Sequence, residues 1–373
     1  MPSSLSRRVV AAAIAGITAV AIVGTAATSF ADSATSGVST SPTAVTSPTS
    51  GKPVTRLAGG DRIGTAIAIS QQEFPNGGAG AVLLTADYDF ADAMSAGPLG
   101  KLWNAPLLLT TPGLLSPTTL TEIQRVLTPG STTPNPNATT TTTTANPTTT
   151  TTMASTTTST VASAAFASSP LTTTCATPSS GGTPAAPTAA GGTVYIIGGF
   201  AAIAHEVDTQ LEAAGYNVVR IAGSDRFDTS VKVAQCEGSP STVFLATGDI
   251  FADALSAGPA AAHATGGGSV LLTNSKVMPP SVSAYLATLT SPTVYAIGAA
   301  AALADPQATA IFGGDRFATS ALVADKFFPG ATVVGIATGA DFPDALAGGA
   351  FMGVEGGPVL MSDPFVLPSA VGL

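Results

Sequence analysis

Downstream of residue 54 the chain alternates short apolar runs with stretches of helical spacing. Over one period, residues 216–221, 243–246, 270–272 and 294–297 are apolar and rich in β-branched side chains, as short buried strands require. Between them, residues 228–235, 252–262 and 281–289 place apolar positions three and four apart. The second of these helices is expected to break near Gly258-Pro259, and the third opens at Pro279-Pro280. Short strands alternating with helices predict βαβ units and a parallel sheet with right-handed crossovers. The fold class is therefore α/β, built from small layered modules.

This period is written three times. RLAGGDRIGTAIAIS surrounds Asp61-Arg62, RIAGSDRFDTSVKVA surrounds Asp225-Arg226, and AIFGGDRFATSALVA surrounds Asp315-Arg316. A second phrase follows each copy: LLTADYDFADAMSAGP, FLATGDIFADALSAGP and GIATGADFPDALAGGA. Arg62 to Asp92, Arg226 to Asp253 and Arg316 to Asp344 are 30, 27 and 28 positions apart. An ordered pair of phrases recurring at such spacing marks a tandem array. The divisions read from the sequence are 54–215, 216–306 and 307–373. The first copy is interrupted at 128–192 by a Thr/Ser/Pro-rich tract that cannot pack a core, placed just before its last strand. The third stops before a closing strand and is read as truncated.

The flanking text adds a compartment. Arg7-Arg8, the apolar run 9–23 and Ser29-Phe30-Ala31 have the layout of an export signal over residues 1–31, and the apolar run is too short for a membrane span. Residues 32–53 read as a disordered spacer. The protein is expected to be secreted, with no stable membrane span after cleavage. Charged residues make up only 9% of the chain and the net charge is −9. That argues against nucleic acid, which needs a basic footprint. An anionic ligand would have to be held by local arginines and backbone N–H groups.

All the repeated phrases fall after strands, where open α/β sheets bind ligands. Arg62, Arg226 and Arg316 have two readings: a fork for phosphate or carboxylate groups of a polymer, or a tie to a carboxylate of the following DFADA-type loop. Asp61, Asp225 and Asp315 are read as caps of the next helix, and Asp92, Asp253 and Asp344 as caps of the helix after it. The neighbouring Asp89, Asp249 and Asp341 shift by one position among copies, so no carboxylate pair keeps the fixed separation that acid–base work needs. Gly198-Gly199 lacks the full dinucleotide spacing. Ser95 and Ser256 have no matching histidine, and the third copy carries Ala347. His205 and His263 have no zinc-ligand neighbours. Neither a catalytic residue, a metal nor a cofactor is expected. Cys175 and Cys236 are read as unrelated thiols, although an oxidising compartment would allow a bridge.

These phrases resemble the cell wall-binding repeat 2 family of Gram-positive surface proteins, whose pattern runs from G-x-[DN]-R through DAL-x-AGP and a PLLLT-like strand to VYIIGG. Here copy one has GGDR, DFADAMSAGP, PLLLT at 106–110 and VYIIGG at 194–199. Copy two has GSDR, IFADALSAGP, SVLLT at 269–273 and VYAIGA at 294–299; copy three has GGDR, DFPDALAGG and PVLM at 358–361, with Met361 where the others have Thr. The resemblance implies three tandem Rossmann-like parallel-sheet modules in a pseudo-threefold arrangement, the third incomplete. It implies non-covalent attachment to an anionic secondary cell wall polymer or to peptidoglycan. The positions it points to are Arg62, Arg226 and Arg316, with the loops at Thr110 and Thr273. Two other classes stay open: a wall-lytic enzyme such as an N-acetylmuramoyl-L-alanine amidase, and a nucleotide-binding α/β module. Triplication favours binding, because repeated weak contacts gain avidity on a repeating polymer.

Overall fold

The structure, a computed structural model, describes residues 18–22, 43–46, 53–88, 91–127 and 191–371. The Thr/Ser/Pro-rich tract, apart from its last two residues, lies outside them, as does most of the expected export signal and spacer.

In chain order the first strands are β1 (Thr18–Ile22), β2 (Thr43–Thr46) and β3 (Pro53–Leu57). After helix α1 (Arg62–Glu73) come β4 (Val82–Ala86), a 3-10 turn at Ala93–Ser95, α2 (Gly97–Trp103), β5 (Leu107–Thr110) and α3 (Pro117–Val126). Past the tract follow β6 (Thr193–Ile197), α4 (His205–Ala213) and β7 (Asn217–Ile221). The second copy supplies α5 (Arg226–Glu237), β8 (Thr242–Thr247), α6 (Phe251–His263), β9 (Gly268–Thr273), α7 (Pro280–Leu286), β10 (Thr293–Ile297) and α8 (Ala299–Ala304), and β11 (Thr309–Ile311) opens the third. The third supplies α9 (Arg316–Phe327), β12 (Val333–Thr338), α10 (Pro343–Glu355) and β13 (Val359–Ser362).

Three sheets result. Two are parallel and four-stranded, with orders β5-β4-β6-β7 and β9-β8-β10-β11. Their central strands read as unbroken apolar runs because helices cover both faces; Leu83, Leu84, Phe244 and Leu245 are fully buried. The strand that opens each G-x-D-R phrase pairs with the preceding module: β7 closes the first sheet and β11 the second. The third sheet, β13-β12-β1-β3-β2, obeys the same rule by running back to the start of the chain. Among the described residues, the third copy contributes β12 and β13 to it. Two segments upstream of the first repeat also enter this sheet. Thr43–Thr46, in the expected spacer, pairs antiparallel with β3, and Thr18–Ile22, in the expected export signal, pairs parallel between β12 and β3.

The modules meet through α2, α6 and α10, which pack on one another as three equivalent helices about a common centre. The repeated AGP or AGG text explains how close they come. A methyl group on Gly97 would sit 3.3 Å from Gly258 Cα, and one on Gly100 3.3 Å from Ala350 Cβ. α6 is not broken at Gly258-Pro259, contrary to the sequence expectation, and runs on to His263. Pro259 removes one helical donor, and the packing of Gly258 and Pro259 against the neighbouring helices compensates.

Cys236 is buried and disulfide-bonded, so it is not the isolated thiol expected; the chain's other cysteine, Cys175, lies outside the described residues. Among the described residues no helix is long and apolar enough to cross a membrane.

Candidate functional site

Each G-x-D-R phrase builds the same strand-to-helix turn. Asp61, Asp225 and Asp315 hold extended backbone, and their carboxylates accept the N–H three residues on: Gly64 at 2.7 Å, Asp228 at 2.8 Å and Ala318 at 2.7 Å. The glycine that opens the phrase is required by contact. A Cβ at Gly59, Gly223 or Gly313 would lie 2.1, 2.4 or 2.3 Å from atoms of the following helix. The next position is open, since nothing lies within 4 Å of such a Cβ at Gly60 or Gly314, and the second copy has Ser224 there. A threonine three residues past each arginine completes the turn. Thr65, Thr229 and Thr319 accept from the N–H of Gly59, Gly223 and Gly313 at 3.1, 3.0 and 3.0 Å. Sequence reasoning passed over these threonines, although their recurrence in D-R-x-x-T was the available signal.

The arginines project from these turns over the carboxyl ends of the strands. Nη1 of Arg62 donates to Asp87 O at 2.7 Å, that of Arg226 to Gly248 O at 2.9 Å, and that of Arg316 to Gly339 O. Each acceptor lies just past β4, β8 or β12. The guanidinium then leans on a neighbouring module. Arg62 lies 5.9 Å over the ring of Phe342 and Arg316 lies 5.4 Å over Phe251, contacts worth about 0.5–1 kcal/mol each where partly exposed. Phe90, at the corresponding place for Arg226, is outside the described residues. Arg62 Nη2 also stands 3.7 Å from Asp341 Oδ2 of the third module. Among the described residues, the expected tie to a DFADA-type carboxylate therefore takes this form at Arg62, and it crosses between modules. All three arginines are half-buried, each with part of its surface in solvent.

The second set of aspartates is not placed as helix caps. α6 begins at Phe251 behind Ile250 and α10 begins at Pro343 behind Phe342, so Asp253 and Asp344 lie inside the first turn. Asp92 has helical backbone and makes no side-chain cap bond to the Ala93–Ser95 turn. These carboxylates turn inward because the closing strand leaves a glycine for them. A Cβ at Gly198 would meet Asp92 Oδ2 at 2.8 Å, and one at Gly298 would meet Asp253 Oδ2 at 2.0 Å. Burial pushes the Asp253 carboxyl up from 3.8 to about 6, with the Arg316 charge pulling the other way. Asp344 is likewise buried.

Thr110 and Thr273 are fully buried. Thr110 Oγ1 donates to Leu114 O at 3.2 Å and accepts from Ser116 N–H at 2.9 Å; Thr273 Oγ1 donates to Ser275 O at 3.0 Å. Any part they play in binding passes through the loops they hold. The third copy does have a hydroxyl at this place: Ser362, not Met361, takes the register of Thr273. Trp103 stacks on Tyr195 at 4.1 Å and packs against the core. Arg220 donates to Gly198 O at 2.8 Å, which pins the glycine turn once compared with a dinucleotide loop. Ser256 Oγ donates to Asp253 O at 2.9 Å within its own helix. Among the described residues no group of three or more His, Cys, Asp or Glu could hold a metal ion.

The arrangement offers one half-buried guanidinium per module, on a loop built identically three times, all on the same end of the sheets. Two solved structures from Clostridium difficile share the fold. Cwp8 matches with a TM-score of 0.61 at 19% identity, covering 88% of this chain and 52% of its own. Cwp6 matches with a TM-score of 0.61 at 18% identity, covering 88% and 46%. Among curated proteins of Bacillus subtilis, the N-acetylmuramoyl-L-alanine amidase LytC is 24% identical over 301 residues and the amidase enhancer 27% over 225. The chain spans 47% and 22% of those two proteins' lengths. The family described as cell wall binding domain 2 matches residues 56–208, 220–307 and 310–371, which is most of the sequence, and the chain belongs to that family as a cell wall-binding protein.

Proposed function

We propose that the protein is exported and attaches non-covalently to an anionic polymer of the cell wall, with Arg62, Arg226 and Arg316 as repeated contact points. The observation that carries this reading is the threefold repetition of one guanidinium geometry at one end of the sheets. A guanidinium whose Nη1 is fixed on a carbonyl is pre-oriented, so little side-chain entropy is lost when its remaining donors meet phosphate or carboxylate. Three weak sites on one rigid body gain avidity on a repeating ligand. The modules act here by binding, and no catalytic step is assigned to them.

The test is retention of the full chain on purified cell walls, before and after acid extraction of secondary polymers. Binding is expected to fall on extraction and to weaken with rising salt. Arg62→Ala, Arg226→Ala and Arg316→Ala should each weaken it by several-fold, and the triple variant should abolish it. Retention of the folded triple variant on intact walls at the native level would overturn the reading. Equal binding to extracted walls would redirect it to peptidoglycan.

A further inference from the structure

Besides its arginine, each module presents an exposed aliphatic side chain at the same end of its sheet. Leu114, Val277 and Val366 each stand four residues past the last residue of β5, β9 and β13. They are 55%, 63% and 68% exposed. The residue that follows does the core packing in the first two modules: Leu115 is buried, and Met278 packs on the second module's core. The backbone under each exposed side chain is held in place. Leu114 O accepts from Thr110 Oγ1 at 3.2 Å and from Thr111 Oγ1 at 2.6 Å. Val277 N–H donates to Asn274 O at 2.9 Å, and Val277 O accepts from Asn274 N–H at 3.0 Å. Val366 N–H donates to Asp363 Oδ1 at 3.2 Å. A further set of bonds ties each loop to its arginine. Asp87, Gly248 and Gly339, whose carbonyls accept from Arg62, Arg226 and Arg316, donate their own N–H groups to Thr110 O, Thr273 O and Ser362 O at 2.9, 2.8 and 2.7 Å. The relay from guanidinium through strand end to aliphatic loop is built the same way three times.

Scattered exposed apolar residues are ordinary on a protein surface. Three at one register, each on a hydrogen-bonded loop beside a guanidinium, make a repeated two-part surface. We propose that Leu114, Val277 and Val366 are specificity-determining contacts, and that the ligand is an anionic polysaccharide whose sugar rings lie against them while its acidic groups meet Arg62, Arg226 and Arg316. This inference rests on the wall-binding reading and names the class of polymer. A pyranose ring has a face of C–H groups, and covering an aliphatic side chain with it removes apolar surface from water on both sides. A polyol phosphate chain without sugars satisfies the arginines and offers no such face. Because the loops are already ordered, little backbone entropy is lost when the rings dock.

The test compares the full chain with Leu114→Ser, Val277→Ser and Val366→Ser, single and combined, for retention on purified cell walls over a range of salt. Circular dichroism checks that the variants stay folded. Each single substitution should weaken retention by about threefold and the combination by about tenfold or more. The salt dependence should stay that of the native chain, because the arginines are intact. Leu102→Ser removes an aliphatic side chain of equal exposure, 55%, from the opposite end of the first sheet and should leave retention unchanged. Calorimetry with the polymer that acid releases from the walls should show a negative heat-capacity change that shrinks in the triple variant. Poly(glycerol phosphate), a charged probe without sugar rings, should bind the native chain and the triple variant alike. The same losses on acid-extracted walls would assign the sugar rings to peptidoglycan, and losses confined to intact walls would assign them to the secondary polymer. Native-level retention of the folded triple variant would overturn the inference and leave wall binding standing. Equal losses in L102S, or binding of poly(glycerol phosphate) that depends equally on the three side chains, would do the same. A native chain that the walls do not retain would overturn the wall-binding reading itself, and this inference with it.

Discussion

The second and third modules carry the same phrases and differ in where their sheets are finished. The second runs β9-β8-β10-β11, and β10 follows β9 along the chain after a single helix. The third runs β13-β12-β1-β3-β2, with everything beyond β12 drawn from the start of the chain, up to the opening strand of the first repeat. Sheet order and register are nevertheless the same in both. β1 stands between β12 and β3 as β10 stands between β8 and β11, although the two come from opposite ends of the chain relative to their partners.

The comparison is broken most severely at the closing glycine. Gly298 has φ +90, and a side chain there would run into Asp253 Oδ2. Gly298→Ala should lower the stability of the second module through about 1–3 kcal/mol of backbone strain together with about 1–3 kcal/mol of overpacking. Denaturant unfolding measures this. Gly314→Ala in the third module, where the added carbon meets nothing within 4 Å, should stay within roughly 0.5 kcal/mol of the native protein. Equal effects from the two would remove the argument for contact at the closing turn.

The same contact predicts a pH dependence. An acid whose folded value is raised holds its proton more readily when folded, so its contribution is fully present below the unfolded value and is lost as pH rises through the folded one. For Asp253 the window runs from 3.8 to about 6. Stability should fall across it by up to about 1.4 kcal/mol per pH unit. Asp253→Asn should flatten that slope in thermal melts recorded from pH 4 to pH 7. Glu73 and Glu237, both raised by burial, act with the same sign, so the variant retains a weaker slope in that direction.

Smaller effects sharpen the likeness of the modules. Asp225→Ala and Asp315→Ala remove equivalent caps and should each cost about 1 kcal/mol, measured as shifts in denaturant midpoint. A large inequality between them would mean that the two turns are not interchangeable. Asp341→Ala removes the 3.7 Å pair with Arg62, whose side chains are 38% and 55% exposed for Arg62 and Asp341. It should change stability by less than about 1 kcal/mol, because solvent already screens that pair.

The sequence by itself determined what depends on near neighbours. The three copies are legible as repeated text, and the alternation of strands with helices and the chemistry of each G-x-D-R turn rest on residues within about a dozen positions, where local hydrogen bonding is enough to build them. Only the tertiary structure decided what depends on residues far apart in the chain, many of them from different copies, meeting. Arg62 reaches Phe342 and Asp341, Arg316 reaches Phe251, and Asp253 turns away from its helix terminus toward Gly298. A text search sees an aspartate before a helix and reads a cap, because the glycine that receives it belongs to a strand more than forty residues on. The burial of Thr110 and Thr273 was hidden for the same reason: a hydroxyl after a strand looks exposed until the loop folds back over it. The source of the third module's closing strand was least legible of all. Apolar composition alone reads Thr18–Ile22 as part of an export signal, and only their pairing with β12 and β3 places those residues in a sheet.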